Sequence, residues 1–382
     1  ADIVWTGVLP TVAEQAARGG ITRTARAAAL AEVLSRAQAS GRAIRFLPPY
    51  RPENVLKLFR LLGVQPDEAK ARADVPLIRA VVEMRAIKGD EEIGEIETAV
   101  NTTVDMHLAG MAMARPGIKE ADIAARVTEI ALAAGGQLSF PVIATIHGET
   151  LHNHHHGHTL EAGQVFLLDA GAESPSRYAG DLTSTFPVSR TFTARQKEVY
   201  DIVLSAHLAA VGALRPGVPF RQIHLLACRT LAEGLKGLGL MKGDLDAAVE
   251  QGAHAMFFQC GLGHMMGLDV HDMEDLGEVW VGYEGQPKST MFGIKSLRLA
   301  RPLLPGFVFT VEPGIYFIPE LIDRWRAEGR FTDFINYDVL ETYRSFGGMR
   351  IEEDFVVHAD GCRRLGKVRP LTTDEVEAVR GA

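Results

Sequence analysis

The stretch "GQVFLLDAG" (Gly163–Gly171) returns later in the chain as "GFVFTVEPG" (Gly306–Gly314). Both read Gly, one residue, Val-Phe, two residues, an acid, one residue, Gly. A short apolar run closed by glycines reads as a buried strand. The two acids, Asp169 and Glu312, each stand six residues after the opening glycine. Strands related by a pseudo-twofold axis would bring both carboxylates to one centre.

The repeat extends outward into helices. "DEEIGEIETAVNTTVDMHLAGMAMARPGIKEADIAARVTEIALAAGG" reads as helix, turn at Pro116-Gly117, helix, and stop at Gly135-Gly136. "TARQKEVYDIVLSAHLAAVGALRPGVPFRQIHLLACRTLAEGLKGLG" repeats the plan, with His107-Leu108-Ala109 matched by His207-Leu208-Ala209 and Arg115-Pro116-Gly117 by Arg215-Pro216-Gly217. Two copies predict a duplicated αβ half rather than a solenoid. The expected fold class is α/β (α+β), with the duplicated unit over residues 83–382. Residues 1–82 read as a separate small α/β domain. It has helical spacing near Thr22–Ala39, a strand at "RAIRFLP" (Arg42–Pro48), and punctuation by Pro48, Pro49, Pro52, Pro66 and Pro76.

Hydrophobic residues make up 47% of the 382, enough for a substantial core. The net charge of −8 argues against a nucleic-acid-binding surface and suits a carboxylate site that takes cations. Cys228, Cys260 and Cys362 are odd in number, far apart and without a C-x-x-C pair. They read as inert thiols in a reducing, cytoplasmic compartment. No apolar run reaches the roughly 18 residues of a membrane span. The first residues lack the basic-then-apolar pattern of a secretory signal. The sequence begins at Ala1 rather than Met, as expected of a chain without its true start.

Five residues stand out as candidate metal ligands: Asp169, Asp181 in "YAGDLTSTF", His264 in "GLGHMMGLDVHD", Glu312, and Glu352 in "MRIEEDFVV". In that last segment, read as one strand, Arg350, Glu352 and Asp354 share a face opposite Ile351, Glu353 and Phe355. Glu352 is preferred to Glu353 because its face carries groups able to orient a buried carboxylate. Four carboxylates in one pocket repel one another unless cations offset them. A pair of divalent ions does so and suits hydrolysis, by acidifying water and stabilising a tetrahedral oxyanion. The donor set suits Mn²⁺, with Co²⁺ or Zn²⁺ as alternatives.

"LLDAG", "GDLTSTF", "GHMMGLDVHD", "TVEPGIYF" and "RIEED" resemble, in order, the signature of the pita-bread metallopeptidases (family M24) over roughly residues 83–370. The resemblance implies a pita-bread fold, with αβ halves around a curved antiparallel sheet. It implies a dinuclear site held by Asp169, Asp181, His264, Glu312 and Glu352. Asp181 and Glu352 would bridge the ions, and Glu312 would also relay a proton. It further implies that His152 and His271 contact the substrate carbonyl. Arg298, in "IKSLRLARPLLPG", would grip a dipeptide's C-terminal carboxylate, and Arg350 would support the ligands from behind. The tract "LHNHHHGHTL" (Leu151–Leu160) thus contributes its first histidine, while His154, His155, His156 and His158 read as a polar loop. His147 reads as structural or at the pocket rim. His107, His207, His224 and His254 read as packing or surface.

The branch implied is that of prolidases and Xaa-Pro aminopeptidases. The expected activity is cleavage before proline in small Xaa-Pro dipeptides by a homodimer, with no nucleic-acid or membrane partner. The alternative is an Xaa-Pro aminopeptidase acting on longer peptides. The N-terminal piece is about half the usual length for the branch, so a shortened or incomplete domain is expected. Phe140 stands near where relatives carry a tyrosine. A metal-independent creatinase-like hydrolase and a non-catalytic binding protein are disfavoured by the five intact ligand positions.

Overall fold

Residues 3–381 are described in the computed structural model of the chain, which divides into two units after Arg79. The first unit holds α1 (Ile3–Thr6), α2 (Val12–Arg18), α3 (Leu30–Ala39), α4 (Pro52–Leu62) and the start of α5 (Val75–Ala86). Thr11 and Glu14 close a reciprocal capping box on α2. Pro52 opens α4, and Gly63, at φ 67°, closes it in a left-handed conformation. The helix expected from Thr22 begins later, at a 3-10 turn over Ala27–Ala29 that leads into α3. The strand expected at Arg42–Pro48 does not form, so the described elements of this unit are helical. Pro48 and Pro49 remove two ladder donors. The segment is tied down singly instead: Phe46 O accepts from Asp74 N at 3.0 Å, and Arg45 pairs with Asp74 at 2.5 Å.

The second unit carries the duplication. Asp90, Glu91 and Glu92 crowd the first turn of α6 (Asp90–Met113), where carboxylates offset the positive helix end. α6 turns into α7 (Glu120–Ala133) as α8 (Ala194–Ala213) turns into α9 (Phe220–Gly237). Gly117 and Gly217 make these turns at φ 92° and 82°, where a side chain would be strained. Their amides donate to matching carbonyls, Leu160 O and Leu303 O, each at 2.8 Å. The reverse bonds match too, from Leu160 N to Ile118 O at 2.8 Å and from Leu303 N to Val218 O at 3.0 Å.

Each half contributes a small antiparallel sheet. β1 (Ile143–Thr145), β2 (Val165–Ala170) and β3 (Leu182–Pro187) form the first, in that order. β4 (Val308–Val311) belongs to the second, and β5 (Gly314–Tyr316) pairs with β6 (Gly348–Arg350). β7 (Glu353–His358) lies between β4 and β8 (Gly361–Arg364). The single strand expected from Arg350 through Phe355 is therefore broken at Ile351-Glu352. The cause lies opposite. Val311 pairs with Glu353 and Gly314 with Arg350, which leaves Glu312-Pro313 facing the break. Pro313 has no N–H for the ladder, and Glu312 N turns away to Leu262 O at 2.8 Å. Glu352, released from the ladder with β4, bridges instead to Thr183 of β3. The two halves meet at this bridge. Behind it, Ile96 and Val100 of α6 pack against Met266, Val308, Val356 and Leu365.

Candidate metal and catalytic site

Asp169 is carried by β2, flanked in register by Ile143 and Thr183. Asp181 immediately precedes β3, and its backbone N–H donates to Asp354 Oδ2 at 3.1 Å. His264 follows Gly263, where an added Cβ would stand 2.0 Å from Thr310 O, so only glycine lets this loop approach β4. Thr310 closes it from both sides, donating N–H to His264 O at 3.0 Å and accepting His264 N–H on its hydroxyl at 3.2 Å. Glu312 leaves the end of β4 and Glu352 occupies the break between β6 and β7.

These five side chains line one cavity of about 720 Å³. His264 Nε2 lies 3.4 Å from Asp181 Oδ2 and 3.7 Å from Glu312 Oε1. One donor atom each from Asp181, His264 and Glu352 falls within 4.8 Å of the others. Arg350 donates to Asp169 through Nη2 and to the Tyr316 hydroxyl through Nη1 at 2.9 Å. Glu353 points away, to His207 at 3.0 Å and Arg364 at 2.9 Å.

Burial, and then the neighbouring carboxylates, push Asp181 and Glu352 well above the usual carboxylate range. Burial raises Asp169 as well, tempered by Arg350. It lifts Glu312 to about 7, against the pull of His264 and Arg350. Without a cation the cluster thus tends to retain protons. Asp181 Oδ1 is buried with no hydrogen-bond partner, as expected of an oxygen reserved for a ligand from outside the chain. Burial also holds His264 below its ordinary value. With its Nδ1 donating to Met265 O at 3.1 Å, the lone pair rests on Nε2, on the side of the acids. The donor set fits divalent metal.

The ring of His271 meets that of His264 edge-on, with centroids 4.4 Å apart. Burial, then His264 and Arg298, holds His271 at about 2, so the ring is neutral. Its Nδ1 lies 2.8 Å from Arg298 Nη1 and 3.0 Å from Glu274 Oε2, while Arg298 and Glu274 pair at 2.5 Å. This fixes one edge of the ring and leaves Nε2 for the cavity that His271 lines. Arg298 itself does not line that cavity. It lines a smaller adjacent one with His271, Glu274 and Glu278.

His152 lines the main cavity, and so does His154, both from the irregular, exposed loop that the tract forms. The rest of the tract turns outward or inward: His155 is exposed, His156 Nε2 donates to Val142 O at 3.1 Å, and His158 meets Glu120 at 2.9 Å. His147 is exposed and pairs with Glu149 at 3.0 Å, away from the cavity. His107, His207, His224 and His254 are all buried. Phe140 lines the cavity, with Cys260, Pro141, Ile143, Leu151 and Val270. Thr183, Tyr316 and Cys260 are the site residues that sequence reasoning missed. Thr183 was legible, since it stands two residues beyond Asp181, and an extended segment puts both on one face.

The sequence profile of metallopeptidase family M24 matches residues 94–359. The chain is 38% identical over 308 residues to the Xaa-Pro dipeptidase of Homo sapiens, covering 78% of this chain and 60% of that protein. It is 34% identical over 304 residues to the Xaa-Pro aminopeptidase of Escherichia coli (strain K12), again covering 78% and 60%. The chain thus spans about 60% of the length of these curated relatives. Among solved structures, a variant of Escherichia coli aminopeptidase P in complex with substrate superposes with a TM-score of 0.78 at 27% identity, covering 100% of this chain and 80% of that one. The fold is the pita-bread fold of those structures, with antiparallel sheets that do not close into a barrel.

Proposed function

The chain belongs to metallopeptidase family M24, and from that premise we propose that it cleaves the peptide bond before proline in Xaa-Pro dipeptides. The observation that carries the proposal is the single cavity in which Asp169, Asp181, His264, Glu312 and Glu352 face His152 and His271. The dipeptide preference draws on the 38% identity to an Xaa-Pro dipeptidase. A second reading, an Xaa-Pro aminopeptidase acting on longer peptides, draws on the likeness to aminopeptidase P structures.

In this reading the five ligands hold two divalent ions, with Mn²⁺ expected and Co²⁺ or Zn²⁺ as alternatives. When bound, such ions acidify water and stabilise negative charge on the substrate carbonyl. Asp181 and Glu352 would be the carboxylates that help to hold both ions. Glu312 would take a proton from the attacking water and pass it to the departing imino nitrogen of proline. His271, neutral and fixed on its Nδ1 side, donates from Nε2 to the developing oxyanion, with His152 as its partner. Arg350 holds Asp169 in place. Phe140, Pro141, Ile143, Leu151 and Val270 supply apolar surface suited to a proline ring. Arg298, paired with Glu274 beside the main cavity, is proposed to read the free carboxylate of a dipeptide.

The protein is proposed to act as a homodimer in a reducing, cytoplasmic setting. The three free cysteines support that compartment, and the net charge of −8 argues against a nucleic-acid-binding surface. Among the described residues no helix is long and apolar enough to cross a membrane.

The test compares proline release from an Xaa-Pro dipeptide with cleavage of an Xaa-Pro-Yaa tripeptide, on metal-stripped and Mn²⁺-restored protein. Metal-dependent activity confined to the dipeptide supports the first reading. Preference for the tripeptide selects the second. No activity on either overturns both.

A further inference from the structure

Three other metal-binding side chains meet outside the carboxylate cavity. His224 and Cys228 stand one turn apart on α9, and His254 lies in a 3-10 turn over Ala253–Met256. Each offers a donor atom within 4.8 Å of the other two. His224 and Cys228 are 0% exposed and His254 2%. Ordinary core packing accounts for one buried imidazole, but buried polar atoms are normally satisfied. Here His224 Nδ1 and both ring nitrogens of His254 have no hydrogen-bond partner. The Val249 carbonyl tempers the effect of burial on His254 without reaching hydrogen-bonding geometry. His224 Nε2 lies 3.6 Å from Cys228 Sγ, the weak contact of a thiol with an imidazole.

We propose that His224, Cys228 and His254 bind a thiophilic transition-metal ion, with Zn²⁺ the expected occupant, at a site separate from the carboxylate cavity. Two imidazoles and a thiolate are borderline-soft donors, whereas Mn²⁺ and Mg²⁺ prefer oxygen. The two sites therefore sort different ions. Burial, with lesser effects of His254 and Arg221, keeps His224 at about 3, and burial keeps His254 at about 4, so both rings are neutral and keep a lone pair. Burial raises the Cys228 thiol far above its ordinary value, so the proton leaves only when a cation replaces it. Binding thus exchanges one thiol proton, released to solvent, for one ion. The ion would pin α9 to the turn that leads into Phe257, Cys260 and His264. The proposal is independent of the peptidase reading.

The test uses whole protein produced in cobalt-supplemented medium and kept reduced. A Co²⁺–thiolate bond gives a near-ultraviolet charge-transfer band that carboxylate and imidazole ligands do not. The band is expected in the wild type, absent from Cys228→Ser, and retained in Cys260→Ser, which lacks the thiol lining the carboxylate cavity. Loss of the band in Cys260→Ser, or no band in protein whose carboxylate site is cobalt-loaded, overturns the proposal. His254→Leu leaves the thiol in place and serves if Cys228→Ser does not fold. It should weaken the band at least tenfold, and an undiminished band overturns the site. Equimolar zinc in the same medium should suppress the band; persistence of the band overturns zinc as the occupant.

Discussion

The hydroxyl of Thr183 donates to Glu352 Oε2 across 2.6 Å. It also accepts Arg350 Nε at 2.9 Å, so one hydroxyl from the first half orients a carboxylate and a guanidinium from the second. Thr183→Val keeps the strand and removes the bond. Metal affinity should fall on the order of 10–100-fold, as for other groups that orient a ligand. Competition with a chelator measures it, and unchanged affinity would show that Glu352 needs no such support.

Asp181→Asn keeps the volume of the side chain and removes half of its ligating capacity. It should lose paired-metal binding and drop turnover to background. Metal content per chain is the first readout, and full activity in the variant would sink the ligand assignment.

Metal binding should depend on pH with a definite sign. In the metal-free state burial raises Glu312 to about 7 and Asp181 and Glu352 well above their ordinary range. A cation must displace those protons, so apparent affinity rises as pH increases through about 7 and falls below it. Calorimetry in buffers of different ionisation enthalpy counts the released protons. A pH-independent affinity would mean the carboxylates are already ionised in the empty site.

Arg298→Ala separates the two functional readings. A charge-assisted hydrogen bond is worth roughly 1.5–3 kcal/mol, so KM for an Xaa-Pro dipeptide should rise at least about tenfold. KM for a tripeptide, whose carboxylate lies farther on, should change little. Equal effects on both substrates would remove Arg298 from carboxylate recognition and leave it as a clamp on His271.

The histidine tract should divide. His154→Ala should alter KM, because His154 lines the cavity, while His155→Ala, which lies outside that lining, should leave kinetics unchanged. The reverse pattern would contradict the course of the loop.

The duplicated plan was legible because it rests on local signals. Paired Arg-Pro-Gly turns and paired Val-Phe strands with a following acid need no tertiary knowledge. The break at Ile351-Glu352 was not legible, because it depends on Pro313 sitting opposite, a matter of register between strands distant in sequence. The Arg42–Pro48 segment failed for a related reason. Its apolar content suits a strand, but a strand needs a partner, and the described residues of that unit supply none. Asp169, Asp181, His264, Glu312 and Glu352 stood out by residue type. Tyr316 and Cys260 did not, since an aromatic and a lone thiol in apolar surroundings look like core.

Asp169 and Asp181 come from the first half of the duplicated unit, and His264, Glu312 and Glu352 from the second. An ion shared between them would be held only by the folded chain, in which both halves stand together. Its free concentration would then enter the folding equilibrium directly. At about a hundred times Kd that contribution is about 2.7 kcal/mol, a sizeable part of a typical domain's stability. Metal starvation should thus shorten the lifetime of this protein under proteolysis as well as silence it, so that its abundance in a cell tracks metal supply.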